Sequence, residues 1–515
     1  MAVIYALISI LLNETPPAQM RRLPPISLFL CSLLVAFGVP FHYGFQLTLV
    51  SPVQRVMVQF INESVHSHYS VRLDRYDAEA VWGATVASLF AGSILGALLT
   101  QFVADNFGRK FGIVLSNAAI AFCALLASVS KFLNSIELFV ASRFILGLFV
   151  TIGIGISSVF LIECSPVQCR GGIGMITGIM IQFGCIVGAL LAMPELLGDQ
   201  SHWWMLFLLE ALVLIAVTVT MLTLHESPSF LLFHDQHDKA ADAAKFYWGQ
   251  NKSANAILDG FRTEQTKRSN AMGMLEVLRE KQSIGTTKGL WIGIFLSICM
   301  AFCGISVIDA YIVEVLQQTM NFSALSSSFV YIGIQIFGLF SLIFASLFVD
   351  RIGRRPLLFI SISLLLFANL VISLILFVQH QSLFVNIALV LVVVLHSSAL
   401  CCGVFPLSYF VANEMVAQNV RSSVQGWSKM VDAISRSIVL SAYLPVRNKI
   451  GDGPAYALFF VPPLAAIGIY LYGALPETKN RTMAEIENKI AEMMAQKSKH
   501  REEKHQQKRD GKTNS

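Results

Sequence analysis

Charged residues are scarce in this sequence. Only 13% of its 515 residues are Asp, Glu, Lys or Arg, while 55% are hydrophobic and the mean hydropathy is +0.65. An ordinary soluble domain has about 25% charged residues, so this composition predicts a membrane protein. The net charge of +5 does not indicate nucleic-acid binding, because the basic residues are spread over short connections and a tail instead of forming one patch.

Several chemical signatures are also missing. The sequence has no G-x-x-x-x-G-K-[ST] phosphate-binding loop, and no nucleophile, base and orienting group converge in it. The nine cysteines have neither the spacing of a disulfide framework nor a Cys/His metal pattern. We therefore expect no enzymatic activity, no cofactor, no metal and no disulfide.

Long apolar runs are abundant. A helix needs about 20 apolar residues to cross a bilayer, and twelve stretches reach or approach that length: 26–50, 80–103, 112–131, 137–163, 171–193, 203–224, 289–313, 325–349, 356–379, 383–412, 424–446 and 454–473. Runs such as "ISISLLLFANLVISLILFV" lack the period-two alternation of a β-barrel strand. The sequence therefore predicts an all-α membrane protein with two six-helix bundles. Its expected parts are an N-terminal tail (1–25), a first bundle (26–224), a linker with short helices (225–288), a second bundle (289–473) and a C-terminal tail (474–515).

The basic residues predict the orientation. Most of them lie in the even-numbered connections, the linker and the tails. By the positive-inside rule, both termini and the linker are expected in the cytoplasm. Among the Asn-x-Ser/Thr sequons, this orientation favours Asn62 as a glycosylation site, with Asn321 second, whereas Asn13 and Asn251 should stay unmodified.

A charge pattern occurs twice. The motif D-x-x-G-R-[KR] begins at Asp105 and again at Asp350, in "ADNFGRKFG" and "VDRIGRRPL". Each copy is followed by a Glu and an Arg seven positions apart, and then by a further Glu. The first set is Asp105, Arg109, Glu163, Arg170 and Glu226, and the second is Asp350, Arg354, Glu414, Arg421 and Glu477. The last three members are offset by 251 positions, which indicates an internal duplication with parallel halves.

These ten charges are all expected at the cytoplasmic ends of helices. We interpret them as a gating latch, whose ion pairs join neighbouring helices and bias a two-state equilibrium without binding solute. The simpler interpretation is that they anchor the topology and do nothing more.

The order of the motifs resembles the sugar porter branch of the major facilitator superfamily, and specifically its facilitative hexose transporters. The segments that carry the resemblance are "YGFQLTLVSP", "ASRFILG", "ECSPVQCRGGIG", "ESPSFLL", "DRIGRRPL", "FVANEM" and "PETKNRT". The resemblance implies alternating access by rocking of two bundles around a central site, without ATP. It carries the scaffold and gating roles to the ten latch residues and to Arg143 and Arg355.

The sugar site of that family is mostly replaced in this chain. The resemblance implies amide, carboxyl and indole side chains at positions that here hold Gly178, Met300, Ala301, Ser306, Gly338, Cys401 and Tyr409. A sugar hydroxyl left unpaired on desolvation costs about 1–3 kcal/mol, so the usual glucose pose is not expected. The remaining candidates for substrate binding are Gln46, Gln182, Ser306, Asp309, Tyr311 and Tyr409.

Asp309 has three possible roles, because a charge inside a membrane helix needs a partner or a cavity. It could form a structural pair with Lys429 or Arg436, it could couple transport to protons, or it could contact the substrate. The resemblance places Gln46 where proton-coupled sugar porters have an Asp, which favours facilitated diffusion.

These observations lead to one function and two alternatives. We expect a plasma-membrane uniporter of a hexose or a related small polar solute. The alternatives are an organic-anion or proton-coupled transporter of the same fold, and a transporter-like sensor that binds solute without conducting it. The sequence does not determine the oligomeric state.

Overall fold

The computed structural model describes residues 25–165, 170–248, 273–279, 284–318, 321–378, 383–416, 418–477 and 489. Regular structure within these ranges is α-helical. The predictions for residues 1–24, for the middle of the linker and for most of the C-terminal tail lie outside them. So do the side chains of five predicted site residues: Arg170, Asp350, Tyr409, Glu414 and Arg421.

Ten helices lie in the first half of the described chain. They are α1 (Ile26–Phe37), α2 (Val39–Thr48), α3 (Gln54–Tyr69), α4 (Arg75–Phe107), α5 (Arg109–Phe132), α6 (Ile136–Glu163), α7 (Arg170–Leu191), α8 (Trp203–Met221), α9 (Pro228–Phe233) and α10 (His237–Trp248). Helices α1 and α2 form one apolar stretch, and each of α4 to α8 is apolar enough to cross a membrane. These six crossings are spans 1 to 6, while α3 connects spans 1 and 2.

The second half repeats this layout. Its described helices are α11 (Met274–Arg279), α12 (Ile284–Phe302), α13 (Ile305–Gln318), α14 (Ala324–Ile352), α15 (Arg354–Val378), α16 (Leu383–Cys402), α17 (Val404–Met415), α18 (Gln418–Ile450) and α19 (Asp452–Ala474). Helices α12 and α13 form span 7 and begin at Ile284, before the predicted start at 289. Span 8 is α14, span 9 is α15, span 10 is α16 with α17, span 11 is α18 and span 12 is α19. The two ends of the bundle are named below the Glu226 end and the Arg447 end.

Helix α18 differs from the other spans. Eleven stretches of the described chain are long and apolar enough to cross a membrane, and α18 is not among them. It carries Lys429, Asp432 and Arg436 within its middle turns. It packs along α4 and α12, so we count it as span 11. Charged side chains in a membrane helix face the bundle interior or a cavity, which places this helix beside the centre of the molecule.

Glycines allow the helices of the first half to approach closely. A Cβ atom on Gly92 of α4 would lie 1.8 Å from the carbonyl oxygen of Phe144, and one on Gly147 of α6 would lie 1.8 Å from that of Leu89. Gly184 of α7 meets the Phe41 carbonyl of α2 in the same way, at 2.0 Å. Only hydrogen fits at these positions, as is usual where membrane helices pack by small residues.

The two favoured glycosylation sequons differ in exposure. Asn62 lies half-buried on α3, and the hydroxyl of Ser64 in its sequon is buried and accepts a hydrogen bond from the Ile136 amide at 2.9 Å. Asn321 lies exposed in the connection before α14. Glycosylation of Asn62 remains a prediction.

Candidate functional site

The repeated motif forms the same helix cap in both halves. Gly108 connects α4 to α5 with a φ of +94°, and Gly353 connects α14 to α15 with a φ of +100°. A Cβ atom on either glycine would meet a carboxylate oxygen, of Glu226 at 2.6 Å or of Glu477 at 2.8 Å. The motif therefore needs glycine for its backbone angle and for the carboxylate beside it.

Each carboxylate accepts hydrogen bonds from the first amides of the next helix. Glu226 accepts from the Arg109 amide at 3.1 Å and the Lys110 amide at 3.0 Å. Glu477 accepts from the Arg354 and Arg355 amides, both at 3.0 Å. A negative charge at a helix N-terminus satisfies unpaired N–H groups and complements the helix dipole. Burial raises the pKa of Glu226 above its usual value, although the Ser227 and Lys110 amides and the Arg109 charge oppose this.

The Arg109 guanidinium completes the cluster of the first half. It lies 3.2 Å from Glu163 on α6 and 3.6 Å from Asp105 on α4. The hydroxyl of Ser227 donates to the other Glu163 oxygen at 2.5 Å. These contacts join spans 2, 3 and 4 to the start of the linker within one half. The corresponding side chains of Asp350, Glu414 and Arg421 lie outside the described part, so the latch role stays a prediction.

A second charge cluster lies at the opposite end of the bundle and was missed in the sequence analysis. Arg447 of α18 contacts three carboxylates: Glu79 of α4 at 3.4 Å, Glu314 of α13 at 3.5 Å and Asp452 of α19 at 3.6 Å. The side chains of Arg447, Glu79 and Glu314 are at most 11% exposed. The Arg447–Glu79 pair connects the two halves.

Hydrogen bonds reinforce this connection. The amide of Gln54, at the start of α3, donates to Glu314 at 2.6 Å, and the Ser51 hydroxyl accepts from the Val313 amide at 3.3 Å. At the Glu226 end, a hydrogen bond of 3.3 Å joins the halves from the Ser423 hydroxyl to Gln101. The Arg447–Glu79 ion pair and the first two of these hydrogen bonds therefore join the halves at the Arg447 end.

The polar residues at mid-depth form a chain of hydrogen bonds across the halves. The side-chain amide of Gln182 on α7 donates to the side-chain oxygen of Gln335 on α14 at 2.8 Å and to its backbone carbonyl at 3.1 Å. Gln335 in turn donates to Oδ1 of Asp309 on α13 at 3.0 Å. Both glutamines are buried, at 6% and 4% exposure. Two predicted site residues, Gln182 and Asp309, are therefore linked through Gln335.

A charged group adjoins this chain on α18. Arg436 donates to Asp432 at 2.9 Å and to the Ser306 hydroxyl at 2.9 Å, and its guanidinium lies 5.7 Å from the Phe90 ring of the first half. Ser306 is three positions before Asp309 on α13, which places both on one face of the helix. In the described chain, Asp309 forms no ion pair with Lys429 or Arg436, and Asp432 is the ion-pair partner of Arg436.

Two other predicted site residues lie elsewhere. Gln46 donates to Glu210 on α8 and accepts from Arg143 on α6 at 3.1 Å, inside the first half. His42, one turn earlier, lies 3.4 Å from Glu210. The Tyr311 ring stacks on Tyr443 at 6.1 Å and is buried. Tyr409 is beyond the described side chains.

A further buried group surrounds the break in span 7. Gly304 has a φ of +102° and lies between the end of α12 at Phe302 and the start of α13 at Ile305, so the carbonyl of Cys303 lies in the break between the two helices. That carbonyl accepts from His396 Nε2 at 2.7 Å and from the Asn369 amide at 3.0 Å, and Tyr456 donates to the Asn369 oxygen at 3.0 Å. Spans 9, 10 and 12 thus hold the break in position.

Comparisons with known proteins agree with this architecture. The family model described as "Sugar (and other) transporter" matches residues 31–490. The chain is 27% identical to the facilitated glucose transporter member 9 of solute carrier family 2 from Homo sapiens, covering 92% of this chain and 87% of that protein. It is 26% identical to member 7 from Mus musculus, covering 91% of both chains, and 25% identical to member 5 from Rattus norvegicus, covering 91% of this chain and 94% of that protein.

Solved structures show the fold. The major facilitator proton:xylose symporter XylE bound to 6-bromo-6-deoxy-D-glucose superposes with a TM-score of 0.73 at 18% identity, over 90% of this chain and 98% of that one. The inward-open XylE of E. coli gives 0.71 at 19% identity, over 90% and 99%. The predicted major facilitator fold is therefore confirmed.

Proposed function

Because the chain belongs to the sugar (and other) transporter family, we propose that it carries a hexose or a closely related polar solute across a membrane by alternating access. It is a multi-pass membrane protein. We further propose facilitated diffusion, a plasma-membrane location, cytoplasmic termini at the Glu226 end and no enzymatic activity. The basic residues near the Glu226 end support this orientation.

The observation that carries the proposal is the hydrogen-bond chain Gln182–Gln335–Asp309. It lies at mid-depth and is built from both halves, as expected of a solute site between two moving bundles. Ser306 and Arg436 extend the polar surface beside it. Amide, hydroxyl and carboxylate groups are the partners that sugar hydroxyls require.

The charge clusters at the two ends support alternating access. Arg447 and Glu79 join the halves at one end, while the Arg109 cluster holds together helices of a single half. A transporter must exchange closure at one end for closure at the other. The ion pair at the Arg447 end is the kind of contact that such an exchange breaks and reforms.

Uptake into proteoliposomes tests the proposal. The purified protein should accumulate at least one radiolabelled hexose or polyol to equilibrium, and an inward proton gradient should not accelerate the uptake. Acceleration by that gradient would favour the proton-coupled alternative. Uptake of organic anions alone would show that the substrate is an organic anion and not a sugar. Thermal stabilisation by a sugar without any uptake would favour the sensor.

The organic-anion alternative gains no specific support from Arg436. Two donors of its guanidinium are already used by Asp432 and Ser306. Organic anions are therefore included in the uptake panel as one group of test solutes.

A further inference from the structure

We infer that Asp309 is a specificity-determining residue that accepts hydrogen bonds from solute hydroxyl or ammonium groups and rejects anions. This inference rests on the proposed function and names the chemical class that its site selects. The solute would be neutral or cationic and rich in hydrogen-bond donors.

The geometry of Asp309 leaves one carboxylate oxygen available. Oδ1 accepts from Gln335 at 3.0 Å and lies 3.5 Å from the Tyr331 hydroxyl, which donates to the Asp309 backbone carbonyl at 3.2 Å. Among the described residues, none donates a hydrogen bond to Oδ2. This oxygen is also not among the fully buried side-chain atoms that lack a hydrogen-bond partner. Asp309 itself is only partly buried. Oδ2 therefore remains available as a hydrogen-bond acceptor for a solute group.

The charges around Asp309 do not neutralise it by direct contact. Arg436, the nearby cation, pairs with Asp432 at 2.9 Å and donates to Ser306. Lys429 lies seven positions before Arg436 on α18, which corresponds to about 10 Å along the helix. Asp309, Asp432, Arg436 and Lys429 together carry no net formal charge. The potential that Oδ2 presents to an entering solute therefore comes from the Asp309 carboxylate itself, which no cation in the described part of the chain contacts directly.

This chemistry discriminates among solutes. An ionised carboxylate only accepts hydrogen bonds, and its bonds from hydroxyl or ammonium donors are about twice as strong as neutral ones. A solute carboxylate at the same place would face a like charge in a medium of low dielectric constant, where repulsion is only weakly screened.

Gln335 is the positioning residue of this site. Its amide fixes Oδ1 of Asp309, and its own side-chain oxygen and backbone carbonyl are held by Gln182 from the other half. The direction of Oδ2 is therefore set by side chains that cross the interface between the halves. Gln335 should affect affinity for all solutes without changing the order of preference by charge.

The test uses wild-type and Asp309→Asn protein in proteoliposomes, with the neutral hexose or polyol that the uptake panel identifies. Competition is measured with a charge series built on one ring: glucose, glucosamine and glucuronate. We expect Asp309→Asn to raise the KM for the neutral solute about tenfold or more, the usual effect of losing a hydrogen bond to a charged group. We also expect it to weaken competition by glucosamine and to make glucuronate a competitor.

Three variants serve as comparisons. Glu314→Gln also replaces a carboxylate by an amide on α13, but at the Arg447 end. It should leave unchanged the order in which glucose, glucosamine and glucuronate compete, which is called the charge order here. Asp309→Glu keeps the charge and should keep the order even if KM changes. Gln335→Leu should raise KM for every solute and preserve the order. Thermal stabilisation of the detergent-purified proteins by the same series gives a second readout that does not depend on conduction.

Two results would overturn the inference. One is an unchanged charge order in Asp309→Asn protein that is folded and inserted at wild-type levels. The other is a proton-gradient stimulation of uptake that disappears in Asp309→Asn, which would make Asp309 a proton site. Failure of the wild type to carry any neutral solute would instead refute the proposed function, and the stabilisation series would still decide whether Asp309 selects by charge.

Discussion

Arg447 shows at the residue scale how a single cation can join the two halves of the bundle. It contacts three carboxylates from three helices, and its side chain is only 11% exposed. An exposed ion pair contributes about 0–1 kcal/mol, whereas removing one partner of a buried pair costs about 3–5 kcal/mol because the other charge is left uncompensated. Since Glu79 and Arg447 belong to different halves, removing one of them should destabilise the conformation in which the halves are in contact at this end.

Replacing Arg447 should therefore open the Arg447 end. We expect Arg447→Gln to raise the labelling rate of a cysteine placed at Ser51 by a membrane-impermeant maleimide at least tenfold. The matched control is Arg75→Gln, which removes another Glu79 partner whose side chain is 64% exposed, and it should change the rate less than threefold. Equal rates in the two variants would show that the Arg447 network does not hold this end closed.

At the scale of elements, span 7 is the helix pair on which the site depends. Its break at Gly304 begins α13, and Ser306, Asp309 and Glu314 then follow on that helix. The Cys303 carbonyl at the break receives two donors from spans 9 and 10. Buried backbone carbonyls need partners, so these side chains keep the break in place and determine where the site residues of α13 lie.

Removing one of the donors to the Cys303 carbonyl should lower the stability of the fold around the break. Asn369→Leu takes away the amide that bonds Cys303 and leaves the Tyr456 hydroxyl unpaired, at a cost of about 1–3 kcal/mol. Tyr456→Phe removes only the hydroxyl and should cost less. Apparent melting temperatures of the detergent-purified proteins should fall in the order wild type, Tyr456→Phe, Asn369→Leu. A melting temperature for Asn369→Leu at or above that of Tyr456→Phe would contradict this account.

For the whole molecule, the relevant motion is the separation of the two halves at the Arg447 end. Ser51 and Val313 come from different halves and lie in hydrogen-bond contact at 3.3 Å. In alternating access this contact must open during every transport cycle. Fixing it with a covalent bond should therefore stop the cycle without unfolding either half.

A disulfide across the halves should block transport. We expect oxidation of Ser51→Cys/Val313→Cys protein to abolish uptake and a reductant to restore it. Ser64→Cys/Ile136→Cys is the matched control, because these residues contact one another at 2.9 Å inside the first half. Its oxidised form should keep near wild-type uptake relative to wild-type protein treated with the same oxidant. Full uptake by the crosslinked Ser51→Cys/Val313→Cys protein would exclude the proposed motion at this end.

The sequence by itself determined the class of the molecule, its family and the repeated D-x-x-G-R-[KR] motif, whereas the structure showed that this motif caps a helix. Apolar length predicts spans because a bilayer offers no hydrogen bonds to an unpaired backbone. The spacing of Asp105, Gly108 and Arg109 recurs because a left-handed turn beside a carboxylate accepts only glycine and is stabilised by helix amides. The span at 424–446 was predicted from its apolar residues, which pack against neighbouring helices as part of α18. Its charged residues lower the mean hydropathy of this helix below that of the other spans.

Only the tertiary structure decided which polar side chains meet. Gln182, Gln335 and Asp309 lie on three helices, and neither their spacing nor their chemistry indicates a contact until the halves are packed. Glu79 and Arg447 are likewise separated by 368 positions in the chain. Gln46 was also a predicted substrate-binding residue, but its side chain forms hydrogen bonds with Arg143 and Glu210 within its own half. Periodicity determines which face of a helix is buried, but the identity of a polar partner depends on the packing of distant helices.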